Sequence, residues 1–216
     1  LTIALPRPRP PRSPMQGRWC DVVPLGPDAH AAALFDAYAA DAEGRIWTYL
    51  PAGPFADLAA YRAWMDATCL TDDPLFQTIL VDGKPLGVAS LMRIDPAHGV
   101  IEVGNINFSP ALSQTRAATE AMFLMMSRAF DELGYRRYEW KCDALNEPSR
   151  RAALRLGFTY EGTFRQAITY KGRNRDTAWF SIIDSEWPRL RAGFAAWLDP
   201  GNFDAQGRQR HRLHQG

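Results

Sequence analysis

The stretch from Gly99 to Gly134, GVIEVGNINFSP followed by ALSQTRAATEAMFLMMSRAFDELG, decides how the chain is read. Its first half has the pattern of a strand. Val100, Glu102 and Gly104 alternate with Ile101, Val103 and Asn105, and Pro110 ends the run. Its second half has the pattern of a long helix, with Ser113 or Thr115 as N-cap, Glu120 in an early turn and Gly134 as the C′ stop. Between them lies the polar turn Ser113-Gln114-Thr115-Arg116. A strand that feeds a helix through such a turn leaves backbone N–H groups unpaired at the helix start. Those amides and the positive end of the helix dipole suit a phosphate, and Arg116 adds a charge-assisted contact. Every helix has such a start, so the pattern alone indicates an anion site and no more.

Reading outward, RRYEWKCD at 136–143 alternates as a strand, with Tyr138, Trp140 and Cys142 on one side and Arg137, Glu139 and Lys141 on the other. With the helix and the strand from Val100 it makes a βαβ unit, which predicts parallel strands and a right-handed crossover. Upstream, Phe76–Val81 and Lys84–Ile94 flank Asp82-Gly83, a strong two-residue hairpin signal. Gly87 marks a bulge or a close backbone approach. Together with the strand from Val100 these form an antiparallel meander. Trp19–Leu25 reads as a first strand, and Asp28 as the cap of a helix running to Ala40. Asp57–Cys69 reads as a second helix. Between the two helices lies an aromatic irregular segment containing Trp47, Tyr49 and Phe55, which either lines a ligand pocket or plugs the core. Downstream, Asn146 caps a helix with Pro148 in its first turn and Gly157 at its end. Phe158-Thr159-Tyr160 is a short strand, 171–176 a charged hairpin region, Thr177–Ile183 a closing strand and Glu186–Leu198 a terminal amphipathic helix.

Composition narrows the function. The 216 residues are 46% hydrophobic and 23% charged, enough for a packed core, and the net charge of +1 gives no bulk attraction to nucleic acid. The three cysteines lack CxxC spacing and the four histidines lack metal-ligand spacing, so reduced thiols, a cytoplasmic setting and no metal are expected. No apolar run reaches membrane length, and no signal core opens the sequence. No GxGxxG follows a strand, which disfavours a dinucleotide enzyme. The expected organisation is a Pro/Arg-rich arm over 1–18, one domain over 19–198 and a polar tail over 199–216. The arm reads as an extended surface segment, or alternatively as a basic arm touching a phosphate or a partner.

The run Asn146-x-x-Ser149-x-x-Ala152-x-x-Arg155-x-Gly157-Phe158-x-x-Glu161-Gly162 closely resembles the GNAT superfamily of acyl-CoA-dependent N-acetyltransferases, RimJ/RimL-like branch. Ile101-Glu102-Val103-Gly104 and Ala118-Thr119-Glu120-Ala121 resemble the same branch, and the order of elements agrees from Trp19 to Trp187. The resemblance implies an α/β fold (α+β by some schemes), with a mixed, mostly antiparallel central sheet, a parallel splayed strand pair and helices on both faces. It implies acetyl-CoA as co-substrate and no metal. The pantetheine arm would pair with the backbone of Ile106, Asn107 and Phe108. The pyrophosphate would sit on the loop Gln114, Thr115, Arg116, Ala117, Ala118 and Thr119, above all on the amides of Arg116 to Thr119. Asn146 would bond the pantetheine arm, unless it is only a helix cap. The loop departs from the family, whose members carry two glycines at spacing two where Arg116 and Ala118 stand. That departure bears on how closely a pyrophosphate can approach.

An amine attacking a thioester needs a base, a polarised carbonyl and help for the departing thiolate. Glu102 is the candidate base if strand burial raises its pKa; a solvent-facing Glu is the alternative. Many relatives place a Tyr acid where Ala153 stands, so Ser149 is the remaining candidate to assist the sulfur. A backbone N–H near Phe108 would polarise the carbonyl. Trp47, Tyr49 and Phe55 would wall the acceptor site. The acceptor would be a small-molecule amine or a peptide N-terminus, with neither membrane nor nucleic acid involved. The terminal helix offers a face for a homodimer. Two other readings stay open: an acyl-CoA-binding module without turnover, and a longer-acyl transferase in which Arg93 or Arg165 pairs with a succinyl carboxylate.

Overall fold

The computed structural model describes residues 4–214. Eight strands lie in one sheet: β1 (Met15–Gln16), β2 (Asp21–Pro24), β3 (Leu75–Val81), β4 (Lys84–Asp95), β5 (Val100–Phe108), β6 (Arg137–Asp143), β7 (Thr159–Tyr170) and β8 (Arg173–Ile183). Their spatial order is β1-β2-β3-β4-β5-β6-β8-β7. Every neighbouring pair is antiparallel except β5 and β6, which are parallel. The β3–β4 hairpin turns on Asp82 and Gly83, both at positive φ (49° and 75°), as a two-residue turn that follows strand twist requires. The parallel pair is the consequence of one crossover helix, α3 (Arg116–Ser127), which continues through a π turn over Arg128–Glu132 and stops at Gly134.

Both faces of the sheet are covered, as expected. Helices α1 (Pro27–Tyr38) and α2 (Leu58–Thr68) place Leu34, Tyr38, Tyr61 and Met65 against Phe76 and Val88. Helices α3, α4 (Glu147–Arg155) and α5 (Trp187–Leu198) bury Ala121, Met125, Ala153, Leu190 and Phe194 against Ile101, Val103, Tyr138 and Phe180. Gly87 is a close approach, as read from sequence: a Cβ there would lie 2.7 Å from Leu112 and 3.0 Å from the Asn107 carbonyl.

Four local expectations differ from the structure. Helix α1 is entered from Gly26 with Pro27 leading, so Asp28 lies inside its first turn and pairs with Arg62 instead of capping. Strand β7 spans twelve residues, not three, and the hairpin turns at Lys171-Gly172, with Arg173 already in β8. Its polar residues hid it because β7 is an exposed edge strand with no buried face to impose alternation. The tail folds back: Phe203 and Leu213 are buried, and Asn202 donates to the Trp197 and His211 carbonyls at 2.9 and 3.3 Å. The arm lies on the surface as read, with Arg128 donating to the Ser13 and Pro14 carbonyls and Arg12 paired to Asp72 at 2.9 Å, but its end at Met15–Gln16 joins the sheet as β1 beside β2. The first three residues of the arm and the last two of the tail lie outside the described residues.

Glu120 ties the N-terminal segment to α3. Its buried carboxylate accepts from the N–H groups of Arg18, Trp19 and Cys20 at 2.9, 2.5 and 2.9 Å. A Glu120→Ala change leaves three inward-facing amides without an acceptor. Urea unfolding should report a loss of about 2–3 kcal/mol with an unchanged m-value.

Candidate active site

Strands β5 and β6 pair only from Val100↔Arg137 to Val103↔Trp140. Beyond that point β5 stays with β4 as far as Phe108, and β6 stays with β8 as far as Asp143. The break begins at Gly104-Asn105. Opposite Ala89, β5 carries a bulge between Gly104 and Asn107, with Asn105 at φ 50° and its Nδ2 donating to Ser90 Oγ at 2.9 Å. At Gly104 a Cβ would lie 2.4 Å from Met92 Sδ, so a side chain there would require Met92 to move. Past the bulge, Ser109 N–H donates to Leu86 on the β4 side. By alternation the peptide groups of Phe108 and Ile106 point the other way, into the opening. Asn107 contributes differently: its carbonyl accepts the Tyr38 hydroxyl at 3.0 Å.

The opening leads to the start of α3. Of the two expected caps, Thr115 serves, its hydroxyl accepting from Ala118 N–H at 3.1 Å. Thr119 N–H is bonded to the Thr115 carbonyl. The expectation of four free amides is thereby corrected to two, Arg116 and Ala117, because the helix's own cap uses the others. Gln114 precedes them at φ 62°. The Arg116 guanidinium lies 3.6 Å from the Trp19 ring centre, stacked beside the helix start. Arg155, from the last turn of α4, donates to Thr119 Oγ1 at 3.1 Å and has no carboxylate partner among the described residues. Burial holds its pKa below the usual guanidinium value. In the sequence Arg155 stands within the α4 run with no role implied for it. Its signal was a basic residue in a last turn that packs beside a helix N-terminus.

Glu102 does not face solvent. It is 5% exposed, on the face of the sheet opposite α3. Its Oε2 accepts from Lys141 Nζ at 2.7 Å and forms an ion pair with Arg93 Nε at 3.2 Å. Lys141 also reaches Glu139 at 2.8 Å and lies over the Trp179 ring at 4.0 Å. Arg137 continues the chain from Glu139 at 2.8 Å to Glu161 at 2.6 Å. Burial pushes the Glu102 pKa up, and this outweighs the opposing effect of Lys141 and Arg93. In Glu139 burial also pushes upward, but Lys141 and Arg137 prevail and hold it low.

Ser149 and Asn146 lie across the sheet. Trp140, which alternates with Lys141 along β6, donates from Nε1 to Ser149 Oγ at 3.0 Å. Ser149 Oγ is the acceptor in that bond, so its own O–H is left to donate, and the Cys142 thiol lies within its reach. Asn146 caps α4, its Oδ1 accepting from Ser149 N–H at 3.2 Å; its amide NH₂ is not used by the cap.

The aromatic segment divides. Trp47 belongs to the core, 7% exposed and edge-on to Tyr38 and Phe55. It also walls a cavity of about 20 Å³ beside β5, shared with Leu50, Tyr61, Val88 and Asn107. The Asn107 side-chain amide is buried there without a hydrogen-bond partner among the described residues. Phe55 lines a separate hollow of about 330 Å³ behind Trp47. Tyr49 reaches the α4 side instead, donating to the Leu145 carbonyl at 3.1 Å. Lys171 and Arg173, at the tip of the β7–β8 hairpin, hold the Trp47 and Thr48 carbonyls at 2.7 and 2.6 Å.

Known proteins share this fold. The acetyltransferase (GNAT) domain family matches residues 22–159. A GCN5-related N-acetyltransferase from Brucella melitensis superposes with a TM-score of 0.95 at 49% identity, over 97% of this chain and 96% of that one. A probable GNAT-family acetyltransferase from Chromobacterium violaceum gives 0.82 at 43% identity, over 87% and 94%. The putative ribosomal N-acetyltransferase YdaF of Bacillus subtilis is 28% identical over 50% of this chain, which spans 59% of YdaF, and agrees with the RimJ/RimL-like branch. A shared sheet, a shared crossover and a family match over more than half of the sequence make this chain a member of the GNAT family and an N-acetyltransferase.

Proposed function

We propose that the chain moves an acetyl group from acetyl-CoA to a primary amine by direct attack within a ternary complex. The observation that carries this reading is the opening between β5 and β6, edged by the unpaired peptide groups of Ile106 and Phe108. An extended amide-bearing arm fits there as an added strand. The free amides of Arg116 and Ala117 lie where its pyrophosphate would end, with Arg116 and Arg155 as flanking cations. The unused amide of Asn146 offers the arm a further bond.

The amine nitrogen bonds to the thioester carbon while the C–S bond breaks. Glu102 takes the ammonium proton, directly or through water, from one face of the sheet. Ser149 donates to the departing sulfur from the other, and the Phe108 N–H polarises the carbonyl. The acceptor enters past Trp47, where the unpartnered Asn107 amide supplies a polar contact in an otherwise aromatic wall. Tyr49 and Phe55 then frame the acceptor site from outside it. The name carried by YdaF favours a peptide N-terminus among acceptors. A succinyl group finds less support, since Arg93 is already engaged with Glu102.

A base must be unprotonated, so activity falls as pH drops through its pKa. Glu102→Gln should lower the single-turnover rate by about 10²–10⁴-fold. It should also abolish the acidic limb that stays fixed when acceptor amines of different basicity are compared. An unchanged fixed limb removes Glu102 from the role. Arg155→Ala should raise the KM for acetyl-CoA about tenfold with kcat nearly unchanged, read by free-thiol release.

A further inference from the structure

Lys141 is the one ammonium buried inside the site, 8% exposed at its side chain, and the reaction as written gives it no task. Its nitrogen is shared between two carboxylates from adjacent strands, Glu102 Oε2 at 2.7 Å and Glu139 Oε2 at 2.8 Å. The Trp179 ring, 4.0 Å away on β8, closes the remaining side. Such an ammonium cannot swing out to solvent, and its three donors have fixed directions. We propose that Lys141 is a positioning residue: shared between Glu102 and Glu139, its ammonium aims the Glu102 carboxylate and sets how readily that carboxylate takes a proton.

The charges around Glu102 fall into two groups. Lys141 from β6 and Arg93 from β4 oppose its protonation, while Glu139 from β6 promotes it. Arg137 and Glu161 act one step further out, through Glu139. From β8 Trp179, Ser181 and Ile183 stand opposite Lys141, Glu139 and Arg137, and none of the three carries charge. Glu139 matters because it competes for the same ammonium. Held ionised by Arg137, it keeps Lys141 from settling wholly on Glu102. The divided ammonium leaves Glu102 basic enough to accept a proton and still fixed in direction. The inference rests on the reading of Glu102 as base.

Two substitutions should act in opposite senses. Lys141→Met removes the opposing charge, so the Glu102 titration midpoint, followed by carboxyl ¹³C NMR, should rise by about one pH unit or more. Glu139→Gln removes the promoting charge and frees Lys141 for Glu102, so the midpoint should fall. Lys141→Arg keeps the charge and should leave it near the wild-type position. If Glu102 is the base, the fixed acidic limb of kcat/KM moves with the midpoint in each variant. A structural role alone would change activity without this pair of opposite shifts. Midpoints that stay at the wild-type value in Lys141→Met and Glu139→Gln overturn the inference. Midpoints that move while the rate limb does not would overturn the base reading and leave the control by Lys141 standing. Should Lys141→Met fail to fold, the sign of the Glu139→Gln shift decides: downward supports the inference, and no shift overturns it.

Discussion

Two strands that each grip an outer neighbour more firmly than one another create the site. Strand β5 is held by β4 to its last residue, and β6 by β8 to its last residue, but the two share only four paired positions. Twist turns every neighbouring pair in the same sense, and the bulge at Asn105 adds a local kink to β5 alone. The strands therefore diverge where α3 must also leave and return. Main-chain groups freed in such a gap need partners. Tyr38 already supplies one to Asn107, which leaves the opposite side of β5 as the face with vacancies.

The two faces of the sheet around this gap differ in kind. On the α3 side the lining is apolar, with Trp140, Cys142 and Phe158 in the core cluster. On the other side run three cations, Arg93, Lys141 and Arg137, and three carboxylates, Glu102, Glu139 and Glu161, so the chain of charges sums to zero. Burying ions is costly unless each is paired and hydrogen-bonded. Here the strand pitch does the pairing, because Glu102 and Glu139 are register partners and Lys141 follows on the same face of β6. A proton arriving at one member is felt by its neighbours, since little water intervenes to screen them.

The βαβ unit, the meander and the α4 run were legible because each is fixed by local rules: alternation, a two-residue turn, a cap and a glycine stop. The divided sheet was not legible from alternation, since Gly104-Asn105 continues the period on paper and breaks it in space. The burial of Glu102 in mid-strand was legible from its apolar neighbours, but its partners were not. Lys141 and Arg93 come from different strands, and only register shows that they meet. The length of strand β7 and the packing of the C-terminal tail were not legible for a common reason. Their positions depend on what they pack against, Trp197 and Trp19 for Phe203 and the β8 edge for Phe164, and not on their own periodicity. The aromatic segment was half legible: Trp47 both fills core and walls a cavity, while Tyr49 serves to brace the α4 side.

The scarcity of glycine ahead of α3 now has a physical account. Arg116 and Ala118 occupy helical positions, where negative φ suits any L residue, so glycine there would serve only to let a ligand come close. Neither side chain stands in the way. Ala118 and Ala117 are buried in the core cluster with their methyl groups directed inward. Arg116 is folded back onto Trp19, with Phe203 behind it at 5.3 Å. The one left-handed residue of the turn is Gln114, and its side chain is exposed. The side chains of Arg116 and Ala118 therefore do not by themselves call for glycine at this helix start. The C-terminal segment that brings Phe203 against Trp19 helps keep the Arg116 guanidinium stacked beside the helix start.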